Sequence, residues 1–239
     1  DRVLTDSRAA ARDIISHLGI AEDRVQVIYL AADATFRPVS RETDDELAAV
    51  RQRLHLPEEY LLYLGGFDRR KQVPELLAAY AHSGLATQMP LVVAGRLPSS
   101  DSAFSPDPRP IARELGIQDA VQFTGWVDEA DKPALYRGAR AFVFPSVYEG
   151  FGLPVLEALA SGTPVIACHG SSLEEIAGPG GLLVDATDSE ALADAMRRLV
   201  LDDSLRESLA GAGLVHAGQF SWDATASQTA RAYREVRDG

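Results

Sequence analysis

The stretch Ala141-Phe142-Val143-Phe144-Pro145-Ser146-Val147-Tyr148-Glu149-Gly150-Phe151-Gly152-Leu153-Pro154-Val155-Leu156-Glu157 holds a strand, a turn and the start of a helix in one line. Ala141 to Phe144 are apolar without alternation, as a strand buried on both faces requires. Pro145 stops the run. Pro154 suits the first turn of a helix, where its missing N–H costs nothing. Gly150 and Gly152 lie between them and let backbone N–H groups face a ligand at the helix N-terminus. This strand–glycine–helix step is the repeating unit of a parallel α/β sheet.

The step recurs on both sides. Upstream, Tyr60 to Leu64 is a buried strand that meets Gly65-Gly66, and Val73 to His82 is an amphipathic helix. Leu91 to Ala94 is a strand ending at Gly95. A Ser-, Pro- and Asp-rich loop runs from Arg96 to about Pro108, followed by a short helix from Pro110 to Leu115. Ala120 to Phe123 is a strand, and Pro133 to Arg137 a helical turn. Downstream come a helix at Pro154–Ser161, strands at Pro164–Ala167 and Gly181–Val184, and helices at Ser189–Leu201, Ser204–His216 and Asp223–Arg237. Ser172-Leu173-Glu174-Glu175 reads as a capping box that opens a short helix. Ahead of the alternation, Asp1 to Thr5 reads as a strand end. Ser7 caps a helix that stops at Gly19, Val25 to Tyr29 is a short strand, 31–38 is linker, and Asp44 to Leu54 is a charged surface helix. The expected fold is α/β: a Rossmann-like parallel sheet with helices on both faces and its ligand at the carboxyl ends of the strands.

Composition narrows the function. The 239 residues carry a net charge of −12, which disfavours nucleic acid and anionic membrane surfaces as partners. A single cysteine, Cys168, excludes an intrachain disulfide and a thiolate metal cluster, and suits a reducing, cytoplasmic compartment. No apolar run is long enough to span a membrane, and no signal peptide is expected. The chain starts at Asp1, in mid-pattern, and reads as a fragment. It holds only two lysines, Lys71 and Lys132, and no asparagine, hence no N-glycosylation acceptor. P-loop, dinucleotide-fingerprint, zinc-protease and nucleophile-elbow motifs are all absent, so no metal or cofactor is expected. The five histidines lack ligand spacing, although His169 follows a strand end. Cys168 reads as a small buried residue, and Trp126 and Trp222 as packing anchors.

Three turns after strands can carry chemistry. Gly65-Gly66-Phe67-Asp68-Arg69-Arg70-Lys71 holds three consecutive basic residues in an acidic chain. Arg70 as a flat fork and Lys71 as a point charge suit a diphosphate; the plain alternative is a solvated patch. In the second turn, Glu149 and Glu157 stand at either end of the glycine turn and can accept hydrogen bonds from sugar hydroxyls. Taken singly, the plain readings are preferred, Glu149 as a helix N-terminal charge and Glu157 as a surface helix residue; the whole constellation is less easily dismissed. The third turn, Gly125-Trp126-Val127-Asp128-Glu129-Ala130-Asp131-Lys132, could line a base pocket through Val127 and Lys132; on spacing alone an ordinary loop is preferred.

These residues resemble the nucleotide-sugar glycosyltransferases of family 4, group 1 type, with the GT-B fold. The resemblance is to the C-terminal donor-binding domain, and most of all to mannosyltransferases of polysaccharide assembly. Its most specific piece is Glu149 to Glu157 within Pro-Ser-Val-Tyr-Glu-Gly-Phe-Gly-Leu-Pro-Val-Leu-Glu-Ala, followed by Gly162-Thr163-Pro164-Val165-Ile166 and Ser171-Ser172-Leu173-Glu174-Glu175. The resemblance implies metal-independent, retaining transfer of a hexosyl group, with the mannosyl group favoured. The donor would be a nucleotide sugar, GDP-mannose or a UDP-sugar, and the acceptor a glycan or lipid-linked. It implies that Glu149 holds sugar hydroxyls and Glu157 the ribose, and that Lys71 and Arg70 hold the diphosphate. Backbone groups of Gly65, Gly66, Gly150, Phe151, Gly152 and Leu153 would line the donor, with Val127 and Lys132 near the base. Many relatives carry an arginine where this chain has Gly66, which leaves Arg70 as the second cation. Residues 1–38 would be the tail of an acceptor-binding N-terminal domain plus linker, 39–221 the donor domain, and 222–239 a helix returning to the absent half, through which peripheral membrane association would run. A non-catalytic nucleotide-sugar-binding module and a GT-B nucleotide-sugar epimerase are the competing readings.

Overall fold

The computed structural model describes residues 2–185 and 187–238. The chain opens with two parallel strands, β1 (Val3–Thr5) and β2 (Val25–Val27), joined through α1 (Arg8–Leu18). Ser7 caps α1 by accepting from the Ala10 N–H at 3.0 Å, and Gly19 ends it at φ 65°. Asp1, expected in the first strand, lies outside the described residues. The second strand stops at Val27, short of Tyr29, whose ring turns instead against Phe151 and Phe220. α2 (Arg41–Leu54) starts ahead of Asp44 because Ser40 and Thr43 cap it reciprocally, and it buries Leu47 and Val50.

Strands and helices then alternate: β3 (Leu61–Leu64), α3 (Val73–Ser83), β4 (Leu91–Ala94), α4 (Pro108–Glu114), β5 (Val121–Gly125), α5 (Lys132–Arg137), β6 (Ala141–Phe144), α6 (Leu153–Ala160), β7 (Val165–Cys168), α7 (Ser172–Ala177) and β8 (Gly181–Val184). Three helices follow, α8 (Ser189–Leu201), α9 (Asp203–Ala217) and α10 (Trp222–Asp238). The six strands form one wholly parallel sheet in the order β5-β4-β3-β6-β7-β8. Every residue of β3, β4, β6 and β7 is buried, which for a pleated strand means that helices cover both faces. α3 packs on α4 and α8. α5 packs on α2 and α6, and α6 packs on α7 and α9. The edge strands β5 and β8 are half-buried, as edges are.

The expected capping box at the start of α7 is not formed. Ser171 is the cap, accepting from the Leu173 N–H at 3.3 Å. Ser172 lies inside the helix, and its hydroxyl donates to the Glu149 carbonyl at 2.8 Å. Trp126 and Trp222 are not packing anchors: they are 59% and 49% exposed, because both stand at the ends of elements rather than under a helix. Cys168 is buried, and burial pushes its thiol up to about 12.

Candidate functional site

The strand order reverses direction between β3 and β6. The chain leaves β3 toward β4 and β5 on one side, and leaves β6 toward β7 and β8 on the other. Their carboxyl ends therefore open a crevice that no crossover helix covers. Leu61 and Leu62 pair with Ala141 and Phe142, so the loops after Leu64 and Phe144 emerge side by side. They are stitched together: the Val147 N–H donates to the Arg70 carbonyl at 3.0 Å, and the Ser146 hydroxyl oxygen lies 3.3 Å from the same carbonyl oxygen. Gly65 sits where a Cβ would lie 2.9 Å from the Tyr63 hydroxyl, so the first loop leaves its strand only through glycine.

Across this junction Lys71 Nζ meets Glu149 Oε1 at 2.5 Å, with the two side chains 12% and 14% exposed. Arg70 stands at the rim. Its Nη1 lies 3.6 Å from Glu149 Oε2 and donates to the Tyr148 carbonyl at 3.1 Å, while its Nε donates to Asp68 at 3.1 Å. The Ser146 hydroxyl donates to Glu149 Oε1 at 2.6 Å. Lys71 also lies over the Phe144 ring, 4.9 Å from its centre. Two cations thus converge on one carboxylate at the mouth of the crevice.

Glu157 enters from the other end of the turn. Its helix position buries much of it, and desolvation holds its pKa above the usual 4.5 against the opposing pull of Tyr136 and Lys132. The Tyr136 hydroxyl donates to its Oε2 at 3.0 Å. An aromatic row runs under the site from here. Tyr136 meets Phe142 edge-on at 5.2 Å, Phe142 stacks on Phe144 at 5.5 Å, and Phe144 stacks on Tyr63 at 6.1 Å. The partners of both carboxylates, Tyr136 for Glu157 and Lys71 for Glu149, therefore rest on one rigid floor.

The turn between the two glutamates presents backbone. Gly152, at φ 105°, breaks the chain into α6, whose ladder starts with Val155 and Leu156 donating to the Gly152 carbonyl. A Cβ at Gly152 would lie 2.7 Å from Leu173 Cδ2. The Phe151 side chain turns away to Tyr29 and Phe220, so only its main chain faces the crevice edge. Among the described residues, no acceptor meets the N–H groups of Gly150, Phe151, Gly152 or Leu153. These four successive N–H groups, in the turn that leads into the N-terminus of α6, are left to donate to an anion.

Beside the first loop lies a cavity of about 230 Å³ lined by Leu64, Gly65, Gly66, Gly95, Arg96, Trp126, Val127 and Lys132. The third turn, which spacing alone favours as an ordinary loop, thus brings Val127 and Lys132 to the same cavity as Gly65 and Gly66. A bulge in β5 helps: Ala94 pairs with Gly125, skipping Thr124, and this aims the next residues over the sheet end. Lys132 bonds Glu129 at 2.5 Å. Arg96 has no role assigned from sequence and Trp126 is expected only as a packing anchor, yet the guanidinium lies 5.1 Å from the indole centre at the cavity rim. Arg96 directly follows Gly95, the glycine just after β4, a strand–glycine–cation signal that the sequence does contain. His169 is exposed beside Glu174 at 3.8 Å and belongs to no part of this cluster. Among the described residues, no cluster of His, Cys, Asp or Glu could hold a metal, and no helix is long and apolar enough to cross a membrane.

Comparison with known proteins agrees with this geometry. The chain is 35% identical over 236 residues to O-antigen chain mannosyltransferase B of Escherichia coli, covering 97% of this chain and 60% of that protein. The structure of sucrose-phosphate synthase from Thermosynechococcus elongatus superposes with a TM-score of 0.84 at 31% identity, covering 100% of this chain and 59% of that one. Anabaena HepE in complex with UDP-glucose shares the fold with a TM-score of 0.86 at 21% identity, over 98% of this chain and 64% of that one. The chain thus spans about three-fifths of the length of these relatives. Its parallel sheet and surrounding helices are those of GT-B neighbours. The family described as glycosyl transferases group 1 matches residues 45–214, and the chain belongs to it.

Proposed function

We propose that this chain is the donor-binding part of a retaining, metal-independent glycosyltransferase. The observation that carries the reading is the Lys71–Glu149 pair, at 2.5 Å, set across the switch point between four unpartnered N–H groups and a base-sized cavity. The nucleobase enters the cavity against Val127 and Lys132, and the ribose hydroxyls bond Glu157. The diphosphate takes Lys71 and Arg70 from Glu149, and Glu149 turns to the sugar hydroxyls. In the reaction the bond from the anomeric carbon to the diphosphate breaks, and the acceptor hydroxyl bonds that carbon on the same face. Its proton passes to the departing phosphate. Lys71, Arg70 and the N–H groups stabilise the negative charge that grows on the leaving diphosphate.

A nucleotide sugar is the ligand class of the Anabaena complex, and the Escherichia coli relative transfers mannosyl groups by its name. GDP-mannose is therefore the first donor to test and a UDP-sugar the second. The acceptor, a glycan or lipid-linked, binds outside residues 39–221. Residues 1–38 and 222–239 lead toward that half, which would carry any contact with the inner face of a membrane. They are tied to each other by Arg2 with Glu235 at 2.7 Å and by the Thr225 hydroxyl donating to the Tyr29 carbonyl at 2.6 Å. The chain alone binds donor and turns it over poorly. Calorimetry with GDP-mannose and UDP-glucose tests the reading. Saturable binding of one is expected, and binding of neither, or turnover at the rate of an intact enzyme, contradicts it.

A further inference from the structure

Three serine hydroxyls with no exposure, Ser7, Ser146 and Ser172, converge on Glu149 and Gly150 from three separate parts of the chain. Ser146 bonds the Glu149 carboxylate. The other two bond main-chain oxygens: Ser172 donates to the Glu149 carbonyl at 2.8 Å and Ser7 to the Gly150 carbonyl at 2.5 Å. A helix cap needs only an acceptor, and Ser7 supplies that to the Ala10 N–H; its single proton is committed to Gly150. Ser172 caps nothing.

A trans peptide unit is planar, with its C=O and N–H pointing in opposite directions. Holding the Glu149 carbonyl therefore turns the Gly150 N–H away from Ser172, and holding the Gly150 carbonyl turns the Phe151 N–H away from Ser7. Both N–H groups belong to the row that meets no acceptor among the described residues. Both peptide planes adjoin Gly150, whose backbone rotates more freely than any other residue's, so unpinned planes would sample flipped states. Ser7 is itself fixed. The Glu175 carboxylate accepts from the Ala9 N–H at 3.0 Å, the Arg8 N–H at 3.3 Å and the Tyr29 hydroxyl at 2.9 Å, locking the start of α1 onto α7.

We infer that Ser7 and Ser172 are positioning residues that orient the Gly150 and Phe151 N–H groups toward the diphosphate and sugar of the donor. The inference rests on the donor-site reading above. It also makes the segment before the linker, through Ser7, part of the donor site.

The test compares two probes on Ser7→Ala, Ser172→Ala and a distant buried control, Ser83→Ala, whose hydroxyl bonds the Tyr80 carbonyl at 2.6 Å. One probe is whichever of GDP-mannose and UDP-glucose binds the unaltered chain, and the other is the matching nucleoside monophosphate, which lacks the β-phosphate and sugar. Each site variant should lose about tenfold in nucleotide-sugar affinity, the net worth of one well-aligned hydrogen bond, with monophosphate affinity held within about twofold. Ser7→Thr, which keeps the hydroxyl, should recover the loss, and Ser83→Ala should change neither affinity. Equal losses for both probes, or unchanged sugar-nucleotide affinity in both site variants, overturn the inference. Should Ser7→Ala fail to fold, Ser172→Ala carries the test, because its hydroxyl caps no helix. If the unaltered chain binds neither nucleotide sugar, the donor reading itself falls; if it binds and the variants match it, only the positioning role does.

Discussion

The loop after β3 delivers charge on long side chains, whereas the loop after β6 delivers backbone N–H groups. In the first the outer cation reaches into solvent: Arg70 is 44% exposed, while the Arg69 N–H is held by the carbonyl of Phe104 in a distant loop at 2.8 Å. The second is pinned by buried serines, and its Phe151 side chain is sunk into the core. The difference follows from how each force falls off. Attraction between charges declines slowly with distance, so a lysine on a flexible stem works from an approximate position. A hydrogen bond weakens steeply with angle, so an N–H group must be held. A site that needs both places each on the kind of loop that suits it.

That contrast can be broken hardest at Gly152. Alanine there must adopt φ 105° and place its Cβ 2.7 Å from Leu173 Cδ2. Gly152→Ala should cost about 3 kcal/mol of stability, read as a lowered denaturant midpoint, and should abolish donor binding. Gly150→Ala, in the same loop, would meet nothing closer than the Asp6 carboxylate at 3.9 Å and should fold normally. Next comes Lys71→Met. It removes the cation and leaves Glu149 facing only the exposed Arg70. Nucleotide-sugar affinity by calorimetry should fall by roughly 1–3 kcal/mol. Lys71→Arg should recover part of this, since attraction between charges tolerates a change of shape better than a hydrogen bond does.

Glu157 gives a smaller effect with a distinctive pH signature. Burial raises its pKa in the folded state, so the folded chain binds its proton more tightly than the unfolded chain does. Its contribution to stability is full below the ordinary carboxylate value of 4.5 and is lost as pH rises through the raised value. Glu157→Gln keeps an oxygen for the Tyr136 hydroxyl and carries no charge to desolvate. At neutral pH its melting temperature should equal or exceed that of the unaltered chain, and the fall in stability from acid to neutral pH should flatten. Donor affinity should drop at the same time. A residue that weakens the fold yet strengthens binding is kept for its chemistry, whereas loss of stability with no loss of binding would mark Glu157 as structural.

Much of the sheet is legible because buried parallel strands are uninterrupted apolar runs: Leu91 to Ala94 and Ala141 to Phe144 read to the residue. The order β5-β4-β3-β6-β7-β8 is not, since pairing joins residues far apart in the chain. Lys71 and Glu149 stand out, one in a basic run within an acidic chain and one beside a glycine turn. Their mutual contact does not, because it spans two strands. Glu157 reads as a surface residue, since helical spacing is silent on the tyrosine from α5 that buries it. Ser172 reads as the cap of α7, but Ser171 takes that place and the Ser172 hydroxyl goes to the Glu149 carbonyl, a tertiary bond that local sequence does not show. Ser7 is found as a cap for the local half of its work, while its proton goes to Gly150, far along the chain. What stays hidden in each case is the second partner of a group whose first partner is local.

The smallest expected effect tests whether the charge-bearing loop is as tolerant as the contrast requires. Gly66 stands where the sequence resemblance implies an arginine, although nothing in the backbone demands glycine there. Its φ is not in the left-handed region, and a Cβ would meet only the Asp68 carboxylate, at 3.5 Å. Gly66→Arg should therefore fold with an unchanged melting temperature. The new guanidinium would stand at the cavity wall formed by Gly65, Gly66 and Arg96, next to Lys71 in the turn. It should tighten nucleotide-sugar binding by about 0.5–1 kcal/mol, the range for an exposed charge pair, and the gain should shrink as salt is added. An unchanged affinity at low salt would show that Arg70 and Lys71 already satisfy the diphosphate. A weakened one would show that this loop, too, depends on fixed geometry, because the added side chain would then be displacing something the site holds in place.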